Sequence, residues 1–240
     1  MERVIRKLSD LFSRKLFLEL KCKFSKKVQI NKKGKIIIYK KACLKLDKTS
    51  KIIINNGHLV LYPCSKVNLF NGSKLIVNKT LHVGLNNMVD GYGFSTINIF
   101  GSSTFSSCGG CVYPGASIAI YKNGNLLTKG YCDINYGCLI RVNKNITIGK
   151  GCFFGRNTFV TDTDSHKVLK NSVDKSNCKE VVIGDNVWVG ANCALLKGTF
   201  INDNCVIAAG TVVSGKNIPA NSLVISKKPL TIEPIKGWEC

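Results

Sequence analysis

The chain has 240 residues, 45% apolar and 20% charged, which is enough to bury a core and excludes wholesale disorder. Lys and Arg outnumber Asp and Glu by 35 to 14, a formal charge of +21, so anionic partners are favoured: nucleic acid, membrane headgroups, or phosphorylated cofactors and substrates. No apolar run reaches the roughly 18 residues needed to cross a bilayer. The start, MERVIRKLSDLF, has no continuous apolar stretch before a small-residue cleavage site, so no signal peptide is expected. Twelve cysteines in an unexported chain read as packed thiols rather than a disulfide scaffold. The chain therefore reads as cytoplasmic, with peripheral contact at the inner membrane face left open.

Residues 1–41 carry 14 Lys or Arg against 3 Asp or Glu. Within residues 2–20, Val4, Ile5, Leu8, Leu11, Phe12, Leu16 and Leu18 fall on one arc at helical spacing, with Arg3, Arg6, Lys7 and Arg14 opposite. Lys15 and Glu19 intrude on that arc. Residues 1–24 are thus predicted as a short basic amphipathic helix. It has three open readings: a cap on the fold that follows, a membrane-surface helix, and, least favoured, a nucleic-acid arm.

From residue 36 the helical period disappears. Short aliphatic runs punctuated by Gly and Asn take over, such as Ile52–Ile54, Val67–Leu69, Leu75–Val77 and Ile97–Ile99. This is an all-β signature. Cys108 and Cys111 form a CGGC run that invites a redox or zinc reading, but no second C-x-x-C and no βαβ pattern accompany it.

Internal repetition decides the architecture. Ile183, Val189, Leu195, Ile201, Ile207 and Val213 recur every six residues, and Val187, Cys193, Thr199, Cys205 and Thr211 stand four after the first five. Upstream, Ile148, Phe154 and Val160 keep the step, with Cys152 and Thr158 at the small position, and Ile134, Cys138 and Ile140 add a partial copy. Such a period predicts a three-sided parallel β-solenoid: each hexad is a strand plus a corner, with the aliphatic residue pointing inward. The domain is assigned to residues 25–240. Between Val160 and Ile183 the step counts 23 residues, five more than a coil of 18, so the segment 161–182 is predicted to extrude a loop. Loops that interrupt a regular scaffold commonly carry function, and this one holds Asp162, Asp164 and His166.

The stretches TDTDSH, IGDNVWVGANCALLKG, CVIAAGTVV and IPANSLV resemble the hexapeptide-repeat acyltransferases. The branch they resemble most O-acetylates sugars of capsule, exopolysaccharide or lipopolysaccharide. The resemblance covers roughly residues 130–240. It implies a left-handed parallel β-helix, although a left-handed coil contravenes the usual crossover preference, and the period alone does not set the hand. It further implies a homotrimer, acetyl-CoA as cosubstrate without a metal, and a sugar or glycan acceptor.

The resemblance makes His166 the general base, suited by an unperturbed pKa near 6.5, with Asp162 or Asp164 able to fix its tautomer. It makes Asn135 an acceptor-binding residue and Trp188 a wall of the pantetheine channel. Ala191, Ala209 and Gly210 fall at backbone positions against the CoA arm, and Ser214 at the family's threonine near the nucleotide end. Two departures stand out: VVSGKNIP has one residue more than the family's V-V-T-K-D-I-P, leaving open whether Lys216 replaces its lysine. Lys227 and Lys228 stand in place of a G-N-P-A-K motif, as cations for the CoA phosphates. Bland alternatives remain beside these. Asn135 suits a solenoid corner, Trp188 exterior packing, and Asp162 and Asp164 a solvated loop. His58 and His82 read as packing residues, and with only His166 in the regular repeats a γ-type carbonic anhydrase, which needs three histidines on zinc, is disfavoured. An N-acetyltransferase acting on an amino sugar nucleotide or amino acid, and a non-catalytic basic scaffold, are the competing functions.

Overall fold

The computed structural model describes residues 18–20, 27–31, 34–85, 93–166 and 177–226. Within them the chain is all-β, and no helix is long and apolar enough to cross a membrane. The strands form three sheets, here called faces: face A has ten strands from Leu18–Leu20 to Leu223–Val224, face B nine from Val28–Ile30 to Asn217–Ile218, and face C eight from Cys43–Leu46 to Val212–Ser214. From Val28–Ile30 onward the chain visits B, A and C in turn, and each of these strands pairs in parallel with the strand of the same face one coil later. The product is a left-handed β-helix of triangular section.

The predicted inward positions fill the prism. Ile183, Val189, Leu195, Ile201, Ile207 and Val213 are all buried, as are Cys152, Thr158, Val187, Cys193, Thr199, Cys205 and Thr211 at the small sites. The corner position needs a small side chain because a corner atom approaches the next coil: the Cys193 thiol lies 3.1 Å from the Ala208 carbonyl and the Cys205 thiol 3.1 Å from the Pro219 carbonyl. Asparagines occupy left-handed corner positions at Asn157, Asn186, Asn192, Asn204 and Asn221. There they hydrogen-bond to one another up the stack, Asn186 to Asn204 at 3.0 Å and Asn204 to Asn221 at 3.2 Å. Asn tolerates positive φ better than other side chains, so one residue type serves both turn and ladder.

The solenoid extends well beyond the regular hexads. On face C the inward residues Leu44, Val67, Ile97, Ile118, Ile140, Val160, Leu195 and Val213 are in register. Only the last step is the ideal 18 residues. Upstream coils are longer, with strands that put two residues inward, as Leu59 and Leu61 or Leu75 and Val77 do. In the CGGC run Cys111 is buried and Cys108 half-buried. Gly110 sits at φ +127, and a Cβ there would lie 1.9 Å from the Cys132 carbonyl oxygen.

Two expectations change. The described part of the predicted N-terminal helix, Leu18–Leu20, is a strand paired antiparallel with Ile36–Ile38. Its Leu-Glu-Leu alternation has the two-residue period of a strand, which the looser helical arc absorbed. The rest of that helix lies outside the described residues. The loop is also larger than the count suggested. Ile148 pairs with Ile183 and Val160 with Leu195, so the coil holding the loop takes 35 residues. The insertion is therefore 17 residues at one corner, rather than five added to a further coil.

Candidate functional site

The sequence-predicted residues divide between two edges of the prism. The A–C edge, where the chain turns from face A to face C, carries Asn135, Ala191, Ala209 and Gly210, with Trp188 beside it on the outer surface of face A. The C–B edge carries Asp162, Asp164 and His166, and further along it Ser214 and Lys216. Face C separates the two groups within one chain. Lys227 and Lys228 lie outside the described residues.

A cleft of about 270 Å³ opens where face A meets the A–C edge, lined by residues including Tyr113, Asp133, Asn135, Phe153, Arg156 and Trp188. Register builds it: Cys111, Asp133, Phe153 and Trp188 occupy the same outward position on consecutive strands. Phe153 and Trp188 are 47% and 58% exposed, large apolar side chains presented to the cleft rather than the core. Tyr113 and Tyr136 pack at 5.4 Å between ring centroids, and the Arg156 guanidinium lies over the Tyr136 ring at 5.1 Å. The Asn135 side-chain oxygen accepts the Tyr136 backbone N–H at 2.8 Å, which leaves its NH₂ as the group it offers a ligand.

Gly155 lines the cleft, and on the following coils the same edge carries Gly190, Ala191 and Ala209. A Cβ on Gly155 would meet the Ala191 nitrogen at 2.5 Å, and one on Gly190 the Ala209 nitrogen at 2.6 Å. Close stacking of coils therefore dictates glycine at these two corner positions.

Asp133 was not singled out by sequence. Its strand, Cys132–Ile134, buries both flanking residues and turns Asp133 outward. Tyr131 and Cys111 neighbour its carboxyl and favour its charged form, and Oδ1 is buried without a partner. Burial pushes this carboxyl above the ordinary aspartate range, against the opposing pull of Tyr131 and Cys111. Burial likewise pushes Tyr113 up to about 12 and raises Tyr131, so both phenols stay protonated donors near neutral pH. The signal that would have exposed Asp133 is its register with Phe153 and Trp188, hidden because these coils take 20 and 35 residues.

At the C–B edge the loop is fastened from both sides. Asp162 is fully buried, and its carboxylate accepts the backbone N–H groups of Asn143 at 2.8 Å and Lys144 at 2.7 Å on the preceding coil. Burial pushes its pKa up, and those bonds draw it partly back. The neck is closed by Lys179 N–H to the Asp162 carbonyl at 2.9 Å, Asp164 N–H to the Asn177 carbonyl at 3.0 Å, and an antiparallel bridge between Thr163 and Cys178. From the following coil, Lys197 pairs with the Asp164 carboxylate, and Gly198 N–H reaches the Glu180 carbonyl at 3.1 Å. Both acids expected beside the His166 ring thus have other partners that hold the loop. His166 is exposed at the end of this described limb.

His58 and His82 lie on neighbouring strands of face A, with the Tyr62 hydroxyl 3.2 Å from Nδ1 of His82. Among the described residues no three His, Cys, Asp or Glu side chains are grouped to hold a metal.

Comparison with known proteins follows the same division of the chain. Residues 180–215 match the bacterial transferase hexapeptide (six repeats) family. A curated relative, the polysialic acid O-acetyltransferase of Neisseria meningitidis, is 38% identical over 55 residues, 22% of this chain and 26% of that protein. The chain thus matches about a quarter of that relative's length. Among solved structures, the polySia-specific acetyltransferase NeuO aligns over 82% of this chain and 78% of its own at 18% identity and a TM-score of 0.37. The polysialic acid O-acetyltransferase OatWY aligns over 82% and 91% at 19% identity and a TM-score of 0.27. The matched segment, residues 180–215, thus carries the repeats of the bacterial transferase hexapeptide family, and its inward aliphatic every sixth residue is buried as that repeat requires.

Proposed function

We propose that this protein is an acetyl-CoA-dependent O-acetyltransferase that esterifies a sugar hydroxyl of a cell-surface polysaccharide, with His166 as general base. The observation that carries the reading is the cleft at the A–C edge. It sets an exposed indole and the glycine corner at Gly155, suited to a thin pantetheine arm, beside an amide donor at Asn135 suited to a hydroxylated acceptor. The curated relative acetylates a polysialic acid, which favours oxygen over nitrogen as the acceptor atom and suits an anionic glycan to a chain of charge +21.

In this reading the neutral His166 imidazole takes the proton of the acceptor hydroxyl as its oxygen attacks the thioester carbonyl. The tetrahedral oxyanion collapses to the acetyl ester and the CoA thiolate, and the imidazolium returns its proton to that sulfur. No covalent enzyme intermediate forms.

Because His166 and the cleft occupy different edges, the site is completed between chains. The C–B edge of one protomer, bearing His166, Ser214 and Lys216, lies against the A–C edge of the next, bearing Asn135, Trp188, Ala191, Ala209 and Gly210. A closed trimer forms three such sites.

The test is transfer of labelled acetyl to a panel of sugars, nucleotide sugars and polysaccharides. His166→Ala is expected to lower kcat by about two to four orders of magnitude, the usual worth of a general base, with KM for acetyl-CoA little changed. Normal turnover in that variant removes His166 from the mechanism, and transfer to amines alone overturns the O-acetyl assignment.

A further inference from the structure

Asp133 is a carboxyl on an outward strand position in the wall of the cleft, yet its Oδ1 is buried and lacks a hydrogen-bond partner. Buried polar atoms are nearly always paired, so an orphaned one asks for a missing group. Three features limit what that group can be. The carboxyl has acceptor capacity to spare, since Oδ1 has no partner at all. Asn135, two residues along the chain, offers a donor because its own oxygen is taken by Tyr136 N–H. Tyr113 and Phe153 wall the space with aromatic surface. An acceptor and a donor side by side between aromatic walls suit neighbouring hydroxyls on a sugar ring. The volume, about 270 Å³, falls just under the roughly 300 Å³ at which pockets for drug-sized ligands begin, which suits one ring. Aspartate χ2 is a broad, soft torsion, so the carboxyl can turn to present an oxygen to the cleft.

Position along the prism fits this use. Asp133 and Asn135 lie two coils on the N-terminal side of Trp188, roughly 10 Å at the usual strand spacing. The small corner residues Gly190, Ala191 and Ala209 lie at and beyond Trp188, in the opposite direction. The two ends of one cleft thus differ in chemistry.

We infer that Asp133 is a specificity-determining residue of an acceptor subsite, taking a hydrogen bond from a ring hydroxyl of the sugar that is acetylated. The inference rests on reading the cleft as part of a glycan-acetylating site, and it assigns the hydroxyl-bearing ring to the Tyr113–Phe153 end.

The experiment uses the full chain and the methyl glycosides of glucose, galactose, mannose, N-acetylglucosamine and sialic acid, with the monodeoxy analogues of each. Acetyl transfer is followed with labelled acetyl-CoA, and binding by saturation-transfer NMR. Asp133→Ala is expected to raise the acceptor KM by about 10- to 100-fold, in line with loss of a hydrogen bond to a charged group, and to leave KM for acetyl-CoA unchanged. One monodeoxy glycoside should lose a similar factor with the wild-type protein and lose nothing further with Asp133→Ala. Asp133→Asn, which keeps the shape, serves if the alanine variant fails to fold. An unchanged acceptor KM, or an equal loss on every deoxy analogue and its parent, overturns the assignment. Transfer that is absent while binding still depends on Asp133 overturns the proposed reaction but keeps the subsite. Glycosides that neither bind nor react overturn the subsite.

Discussion

Lys197 reaches back from the coil after the loop to the Asp164 carboxylate, two residues before His166. With Gly198 N–H gripping the returning limb at Glu180, the corner after the loop clamps both of its strands. Small displacements of a reacting group can cost up to about 100-fold in rate. Lys197→Met is therefore expected to lower kcat roughly 10- to 100-fold with KM for acetyl-CoA unchanged, while Lys197→Arg keeps most of the activity; wild-type kinetics in Lys197→Met would remove the clamp. Asp133 makes a prediction about stability. Its folded pKa is raised by burial above the unfolded value near 3.9, so the stabilisation from the neutral form is complete below that value and is lost as pH rises through the folded one. Melting curves of Asp133→Asn should lie above the wild type at pH 8 and converge with it toward pH 4; a gap constant with pH would contradict this. His166, Asn135 and Trp188 could be proposed from their motif neighbours. Asp133 and Lys197 were not, because their roles depend on which strands lie side by side, and in coils of unequal length that is not a spacing in the chain.

At the scale of strands and corners, the packing rule is strict where the backbone of one coil meets the next. Gly110→Ala would drive a Cβ into the Cys132 carbonyl at a positive φ. A loss on the order of 3 kcal/mol is expected in urea unfolding, since neither strand can yield without breaking its ladder. Leu195→Ala in the regular coils should cost about 2–5 kcal/mol, the range for a buried aliphatic truncated in a closed core. The hexads from Ile183 to Val213 were readable because each puts one aliphatic inward. The earlier coils were not, since their longer strands put two residues inward and their corners vary in length, so no single step persists. The loop was legible only modulo six: surplus residues shift the phase identically whether they sit in one corner or are spread over a further coil. The Leu18–Leu20 strand was lost to a helical arc that tolerated Lys15 and Glu19 as exceptions.

For the whole molecule, the division of the predicted residues between two edges is itself testable. In the proposed trimer, His166→Ala and Trp188→Ala damage opposite sides of every interface. Co-assembled from equal amounts of the two inactive proteins, randomly mixed trimers should regain about a quarter of wild-type activity, because a quarter of the sites pair two intact edges. No recovery on mixing, with exchange verified by native mass spectrometry, would place the whole site within one chain.

The short antiparallel strand Leu18–Leu20 has a consequence beyond closing the first coil. A parallel solenoid ends in raw strand edges that match the far end of another copy, so the geometry invites end-to-end fibre growth. Among the described residues, a strand laid in the opposite sense gives the face A edge the wrong polarity for such an addition. Deleting it should make the protein more prone to grow filaments that bind amyloid dyes, with its circular dichroism otherwise unchanged.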